Sequence, residues 1–196
     1  LYYFFVGIKY FHYQQFWHFI ILFAGNLGEA QNLDAVLNAA NILKETNRIK
    51  FVFVGDGRKR NSLEQFVKNN KLENTVYFTG RFPLETMPEF MKKPSVLLFS
   101  LKDEPCFNLT VPSKVQFYMS QAKPILAMIN GDGADLVKEA NCGISVPAGD
   151  VDSFVNAIND LVQMDKSSLQ KLGLNGKIFR IIKFKTMTDE RDAEGN

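Results

Sequence analysis

Between Asp103 and Pro124 the chain reads Asp-Glu-Pro-Cys-Phe-Asn-Leu-Thr-Val-Pro-Ser-Lys, a short amphipathic run and then Ala-Lys-Pro. Its residue types could do chemistry. Two carboxylates, Asp103 and Glu104, stand ahead of a helix start: Pro112 suits a first helical position, Ser113 can serve an exposed backbone N–H, and Val115, Tyr118 and Met119 recur at helical spacing. A helix beginning there aims unpaired amides, with Lys114 beside them, at the acidic loop, and such an end attracts phosphate. The carboxylates suit neutral hydroxyls better than that phosphate. The loop therefore fits a molecule with a sugar at one end and a phosphate at the other, as in a nucleotide-sugar.

Three glycine segments offer further contacts. Gly25-Asn26-Leu27-Gly28 places a flexible loop before a helix whose N-terminus can face a diphosphate, although a plain strand-to-helix turn has the same pattern. Gly55-Asp56-Gly57 leads into Arg58, Lys59 and Arg60, a basic cluster that suits either phosphate or a solvated helix face. In Gly80-Arg81-Phe82 the ring is a candidate for the ligand or for the core, and Asp103-Glu104 before Pro105 also reads as an exposed turn.

These residues need a scaffold, and its pattern is regular. Short apolar strands are expected at Ile20-Ile21-Leu22-Phe23, Phe51-Val52-Phe53-Val54, Val76-Tyr77-Phe78, Val96-Leu97-Leu98-Phe99-Ser100, Ile125-Leu126-Ala127-Met128 and Gly143-Ile144-Ser145-Val146. Helices alternate with them: Leu33, Val36, Leu37, Ala40 and Leu43 form one stripe, and Phe154, Ala157, Ile158, Leu161 and Val162 another. A helix is expected near Ala134 to Ala140, after an Asn130-Gly131-Asp132-Gly133 turn. Continuously apolar strands alternating with helices predict a doubly wound α/β domain, a parallel sheet of about six strands covered on both faces. Ligands bind such sheets beyond the carboxyl ends of the strands, where the winding reverses. The glycine segments and the acidic loop all fall on that edge.

In this order the motifs resemble the donor-binding half of a GT-B glycosyltransferase, particularly the family 4 (group 1) branch that builds bacterial surface polysaccharides. The resemblance rests on Phe23-Ala24-Gly25-Asn26-Leu27-Gly28, Val54-Gly55-Asp56-Gly57, Phe78-Thr79-Gly80-Arg81-Phe82, the Pro-Ser-Lys start, Ala122-Lys123-Pro124-Ile125 and Val146-Pro147-Ala148-Gly149-Asp150, spanning roughly residues 20 to 175. It implies a Rossmann-like half-domain that binds a nucleoside-diphosphate sugar, with UDP the expected carrier and no metal or cofactor. It also implies that Gly80-Arg81-Phe82 reads the base through its main chain and that Glu104, with Asp103, orients sugar hydroxyls. Relatives commonly place two glutamates eight positions apart around this loop; the register of Ala122-Lys123-Pro124 puts Phe117 where an acidic residue often stands. Relatives also carry basic residues near the first glycine loop. Here Asn26, Glu29 and Gln31 leave Lys114 as the expected phosphate cation.

The ends differ from the middle. Residues 1–23 hold eleven of the 25 aromatics and one firm charge, Lys9, while Gln14, Gln15, His12 and His18 interrupt any apolar span. Residues 1–19 read as a separate segment, either an interfacial helix in contact with a membrane or the remnant of something longer. Residues 176–196, from Gly176-Lys177-Ile178-Phe179 to Asp189-Glu190, resemble the early cytosolic part of small membrane-bound phosphoglycosyl transferases, which act on polyprenol phosphate. The alternative there is a charged tail after the last helix.

Composition excludes other classes. A formal net charge of +2 supplies no field for nucleic acid. Cys106 and Cys142 lack metal-ligand spacing, and His12 and His18 lie outside the motif region, which argues against zinc or Cys/His catalysis. A receiver domain would need acidic residues where Gly25-Asn26 and Thr79-Gly80 stand, and a dinucleotide site a fuller glycine fingerprint than Gly25 to Ala30 provides. The expectation is a cytoplasmic or peripheral donor domain acting with an acceptor glycan or polyprenol-linked sugar and an acceptor-binding domain. The alternative is a non-catalytic nucleotide-sugar module that serves a separate acceptor-binding chain.

Overall fold

The computed structural model describes residues 18–109 and 113–194. The aromatic segment up to residue 17 and Pro112 lie outside the described residues. Six parallel strands form one sheet: β1 (Phe19–Ala24), β2 (Ile49–Val54), β3 (Val76–Gly80), β4 (Val96–Ser100), β5 (Ile125–Met128) and β6 (Gly143–Val146), in the order β3-β2-β1-β4-β5-β6. The central strands β1, β4 and β5 are buried along their whole length, as expected when both faces of a sheet are covered.

The strand period of two divides the core. Phe19, Ile21 and Phe23 point to one face, where α1 (Leu33–Leu43), α2 (Arg60–Asn69) and α7 (Val151–Gln163) pack. Ile20, Leu22 and Ala24 point to the other, against α3 (Met87–Lys92), α5 (Ser113–Ser120) and α6 (Asp132–Glu139). The doubly wound fold expected from the pattern is the fold observed. Helix α7 is started by Asp150, whose carboxylate accepts the Ser153 N–H at 2.9 Å.

Three elements depart from expectation. Helix α6 opens at Asp132, so the preceding turn is shorter than the four polar and glycine residues suggest. A single helical turn, α4 (Pro105–Asn108), follows Glu104. The last helix, α8 (Lys166–Glu194), is continuous for 29 residues. Its apolar residues are spread over both sides, which hides the helical period: Leu169 and Leu172 join the first core and Phe179 the second. The helix passes from one face to the other at Gly173 and Gly176, where a Cβ would lie 2.2 Å from the Ala122 carbonyl oxygen and 2.9 Å from Cys142 Cβ.

Candidate functional site

The strand order reverses between β1 and β4, and there the sheet opens. Pairing of β1 with β4 is limited to Ile21↔Val96 and Leu22↔Leu97, whereas β1 stays paired with β2 through Ala24↔Val54. Ala24 would be left with its N–H and C=O facing no strand. The buried hydroxyl of Tyr118 takes both, accepting from the Ala24 N–H at 3.0 Å and donating to its carbonyl at 3.2 Å. Burial drives the Tyr118 phenol pKa well up, so it remains a donor.

The first wall of the opening is backbone. Gly25 N–H donates to the Val54 carbonyl at 2.8 Å and Gly55 N–H to the Gly80 carbonyl at 2.8 Å, while Leu27 N–H reaches Asp56 and Lys59 N–H reaches Leu27, each at 2.9 Å. Gly55 has φ +138°, and a Cβ there would lie 1.9 Å from the Gly25 carbonyl oxygen, so no other residue fits without moving the loop.

The second wall comes from α5. A cleft of about 820 Å³ is lined by Gly25, Asn26, Gly55, Arg81, Phe82, Ser113, Lys114 and Phe117, with Met87 and Met91 deepening its apolar side. A second lobe of about 730 Å³ shares Asn26, Asp56 and Arg81 with it and adds Gly28, Gly57 and Arg58. Gly80 lines neither lobe and acts through its hydrogen bond to Gly55.

Lys114 sits on the floor. Its Nζ lies 4.4 Å from the Phe23 ring centroid and 5.9 Å from that of Phe99, and donates a long hydrogen bond of 3.5 Å to Gln31 Oε1. Gly25 makes room for it, since a Cβ at that position would come within 2.4 Å of Nζ. No carboxylate among the described residues pairs with it, and burial lowers its pKa to about 8. Ring faces and one amide are weak substitutes for a counter-anion.

The basic cluster after β2 resolves into separate roles. Lys59 bridges Asp34 at 2.9 Å and Glu29 at 3.7 Å, and its pKa is raised first by the Asp34 hydrogen bond. Arg60 pairs with Glu64 at 2.7 Å. Arg58 and Arg81 are exposed at the lobes, without an acidic partner among the described residues. Phe82 is partly buried and packs on Phe90 at a centroid distance of 4.4 Å, so it serves core and cleft together.

Asp103 and Glu104 line neither lobe. Asp103 accepts from Asn108 Nδ2 at 2.9 Å, and hydrogen bonds from Asn108 and then Asn130 hold its carboxyl below the usual range. Glu104 is exposed at the start of α4, where its carbonyl accepts the Phe107 N–H at 2.9 Å. The loop is tied across the seam instead through Lys102, whose N–H donates to the Ala30 carbonyl at 2.9 Å and whose Nζ meets Glu29 at 3.3 Å. Tyr118, Met87 and Met91 were not singled out for the site by the sequence. A phenol placed on a helix's buried stripe is the one signal that could have pointed to Tyr118. No His/Cys/Asp/Glu cluster among the described residues could hold a metal ion.

Residues 18–164 match the family described as glycosyl transferases group 1. Among curated proteins, a probable glycosyltransferase of Pseudomonas aeruginosa, WbjE, is 31% identical over 153 residues, covering 76% of this chain and 37% of its own length. Anabaena HepE, solved in complex with UDP, superposes with a TM-score of 0.79 at 17% identity over 97% of this chain and 51% of that one. The isolated C-terminal domain of a group 1 protein from Francisella tularensis, LpcC, gives 0.69 at 18% identity over 85% and 86% of the two chains. The chain thus spans well under half of WbjE and nearly all of a single such domain.

Proposed function

Because the chain belongs to the group 1 glycosyltransferases, we propose that its switch-point cleft holds the diphosphate of a nucleotide-sugar and acts as the donor half of a transferase. The observation that carries this reading is the Lys114 ammonium, half-buried on the cleft floor with no carboxylate partner among the described residues. A diphosphate supplies the missing charge. With Ser113 at the start of α5, and Arg58 and Arg81 at the rim, Lys114 would stabilise the leaving nucleoside diphosphate as it departs with the bonding electron pair of the anomeric carbon. An acceptor hydroxyl forms the new bond to that carbon, and its proton passes to the released diphosphate, directly or through water.

Glu104 belongs to this proposal as a residue reaching sugar hydroxyls that project from the cleft, since orientation of the reacting carbon fixes the line of attack. Asp103, engaged by Asn108 and Asn130, holds that loop in shape. UDP is the proposed carrier, supported by the cleft fold shared with HepE. A lipid-linked or surface polysaccharide acceptor is supported by the resemblance of residues 176–196 to phosphoglycosyl transferases. Transfer itself is proposed to need an acceptor-binding domain. The second reading, a non-catalytic nucleotide-sugar module serving a separate acceptor-binding chain, is favoured by Asp103 and Glu104 lying outside both lobes of the cleft.

Isothermal titration with UDP, then GDP, tests the reading on the wild-type chain, Lys114→Ala and Glu104→Ala. Saturable binding is expected, weakened in Lys114→Ala by about 2 kcal/mol, the size of a hydrogen bond to a charged group. Glu104→Ala is expected to spare UDP and weaken the UDP-sugar. A folded chain that binds neither nucleotide, or binds equally well without Lys114, overturns it. A nucleotide-sugar that binds without being transferred even after an acceptor-binding domain is supplied favours the module.

A further inference from the structure

Helix α8 carries a surface that the donor cleft does not use. Between Lys166 and Met187 the sequence holds six basic residues, Lys166, Lys171, Lys177, Arg180, Lys183 and Lys185, and no acidic one. The helix's inward side is occupied by Leu169, Leu172 and Phe179. Its outward side is also apolar: Leu174, Ile178 and Ile181 are 52%, 55% and 49% exposed. Their spacing of four and then three residues makes one stripe. Lys171 stands on the same line one turn earlier and Lys177 borders it, neither with an acidic partner among the described residues.

A pocket of about 460 Å³ opens where α8 begins, lined by Lys123, Lys166 and Gln170 beside Pro94 and Ser95. Gln170 lies one helical turn before Leu174, so pocket and stripe are continuous. Lys123 is half-buried, and burial together with the charge of Lys166 disfavours its own charge. Two lysines turned against each other in one pocket are relieved by an anion. An apolar stripe bordered by lysines in a segment without acids matches a surface that is apolar inside and anionic at its boundary. No described helix is long and apolar enough to cross a membrane.

We propose that the outer face of α8 rests on an anionic lipid surface, with Leu174, Ile178 and Ile181 entering its apolar boundary and the Lys123–Lys166 pocket receiving a lipid phosphate.

Co-sedimentation of the full chain with phosphatidylcholine vesicles, with and without phosphatidylglycerol, tests this. Retention is expected on the phosphatidylglycerol vesicles only and should fall as salt rises. Ile178→Glu with Ile181→Glu should abolish it with the circular dichroism spectrum unchanged, because both positions are exposed. Lys123→Gln and Lys166→Gln should each weaken it about five-fold, the worth of one basic residue near an anionic surface. Inorganic phosphate that binds the pocket while vesicles do not would assign the site to a free anion and overturn the lipid proposal. Retention unchanged in the double glutamate variant would place any membrane contact elsewhere and overturn it. A wild-type chain that dimerises in light scattering, becomes monomeric in that variant and ignores vesicles would give the stripe to a second copy.

Discussion

The two walls of the cleft are built from different materials. On the β3-β2-β1 side the loops are joined main chain to main chain, through Gly25–Val54, Leu27–Asp56 and Gly55–Gly80 contacts of 2.8 to 2.9 Å. On the β4-β5 side the wall is a helix that meets the cleft through the side chains of Ser113, Lys114, Phe117 and Tyr118. Backbone pairing sets a shape that few substitutions can alter gently. The helical wall can exchange its chemistry while the fold persists, so the first wall should answer mutation in stability and the second in binding.

The largest effect expected is on the backbone side. Gly55→Ala combines a φ of +138° with a Cβ placed 1.9 Å from the Gly25 carbonyl, so it should cost about 3–5 kcal/mol, the sum of a strained backbone and an overpacked contact. Urea unfolding measures it; a loss below the size of one ordinary surface substitution would show the loops to be pliable. Tyr118→Phe tests the seam between the walls. It strips the Ala24 N–H and C=O of their partner in a buried place, and about 2–3 kcal/mol is expected. Full retention of stability in that variant would mean that β1 and β4 can close on one another.

What the sequence made legible follows the same division. Strands such as Val96–Ser100 and Ile125–Met128 are short apolar runs bounded by polar residues, and they stand where the pattern put them. The glycine loops were legible because φ values and close backbone approach leave a residue-type signature. Lys114 was legible by its place after a helix start, but that no carboxylate among the described residues reaches it depends on parts of the chain far apart in sequence. The β1–β4 splay, and the 94-residue separation over which Tyr118 repairs it, leave no local mark. Helix α8 escaped because a helix that crosses from one core to the other has no single apolar face. Asp103 and Glu104 stand out by residue type, which does not show that Asn108 holds Asp103 while Glu104 stays exposed.

Lys114→Met sharpens the contrast because it should move binding and stability in opposite directions. Removing the cation is expected to weaken UDP about thirty-fold, or about 2 kcal/mol. Methionine keeps the packing on Phe23 and Phe99 and relieves the chain of a buried charge, so stability should rise by about 1 kcal/mol, as when a site is traded for a better core. Titration calorimetry and thermal melting on the same sample decide it. A variant that loses both would make Lys114 a structural residue.

The smallest effect expected is that of pH, and it separates the roles of Lys114 within one unmutated protein. Its pKa in the folded chain lies near 8, against 10.5 when solvated. If only the ammonium binds diphosphate, its charged fraction, and with it the affinity for UDP, should fall about ten-fold between pH 7 and pH 9. Stability has the opposite sign. Between about 8 and 10.5 the unfolded chain keeps a proton that the folded chain has released, so this group's contribution rises with pH across that window. Lys50 and Lys123, also lowered by burial, add to the same trend. The difference between wild type and Lys114→Met therefore isolates the effect. Affinity falling while that stability difference closes would place both effects on the single Lys114 ammonium. Affinity that stays level to pH 9 would move the phosphate contact to Arg58 and Arg81 at the rim.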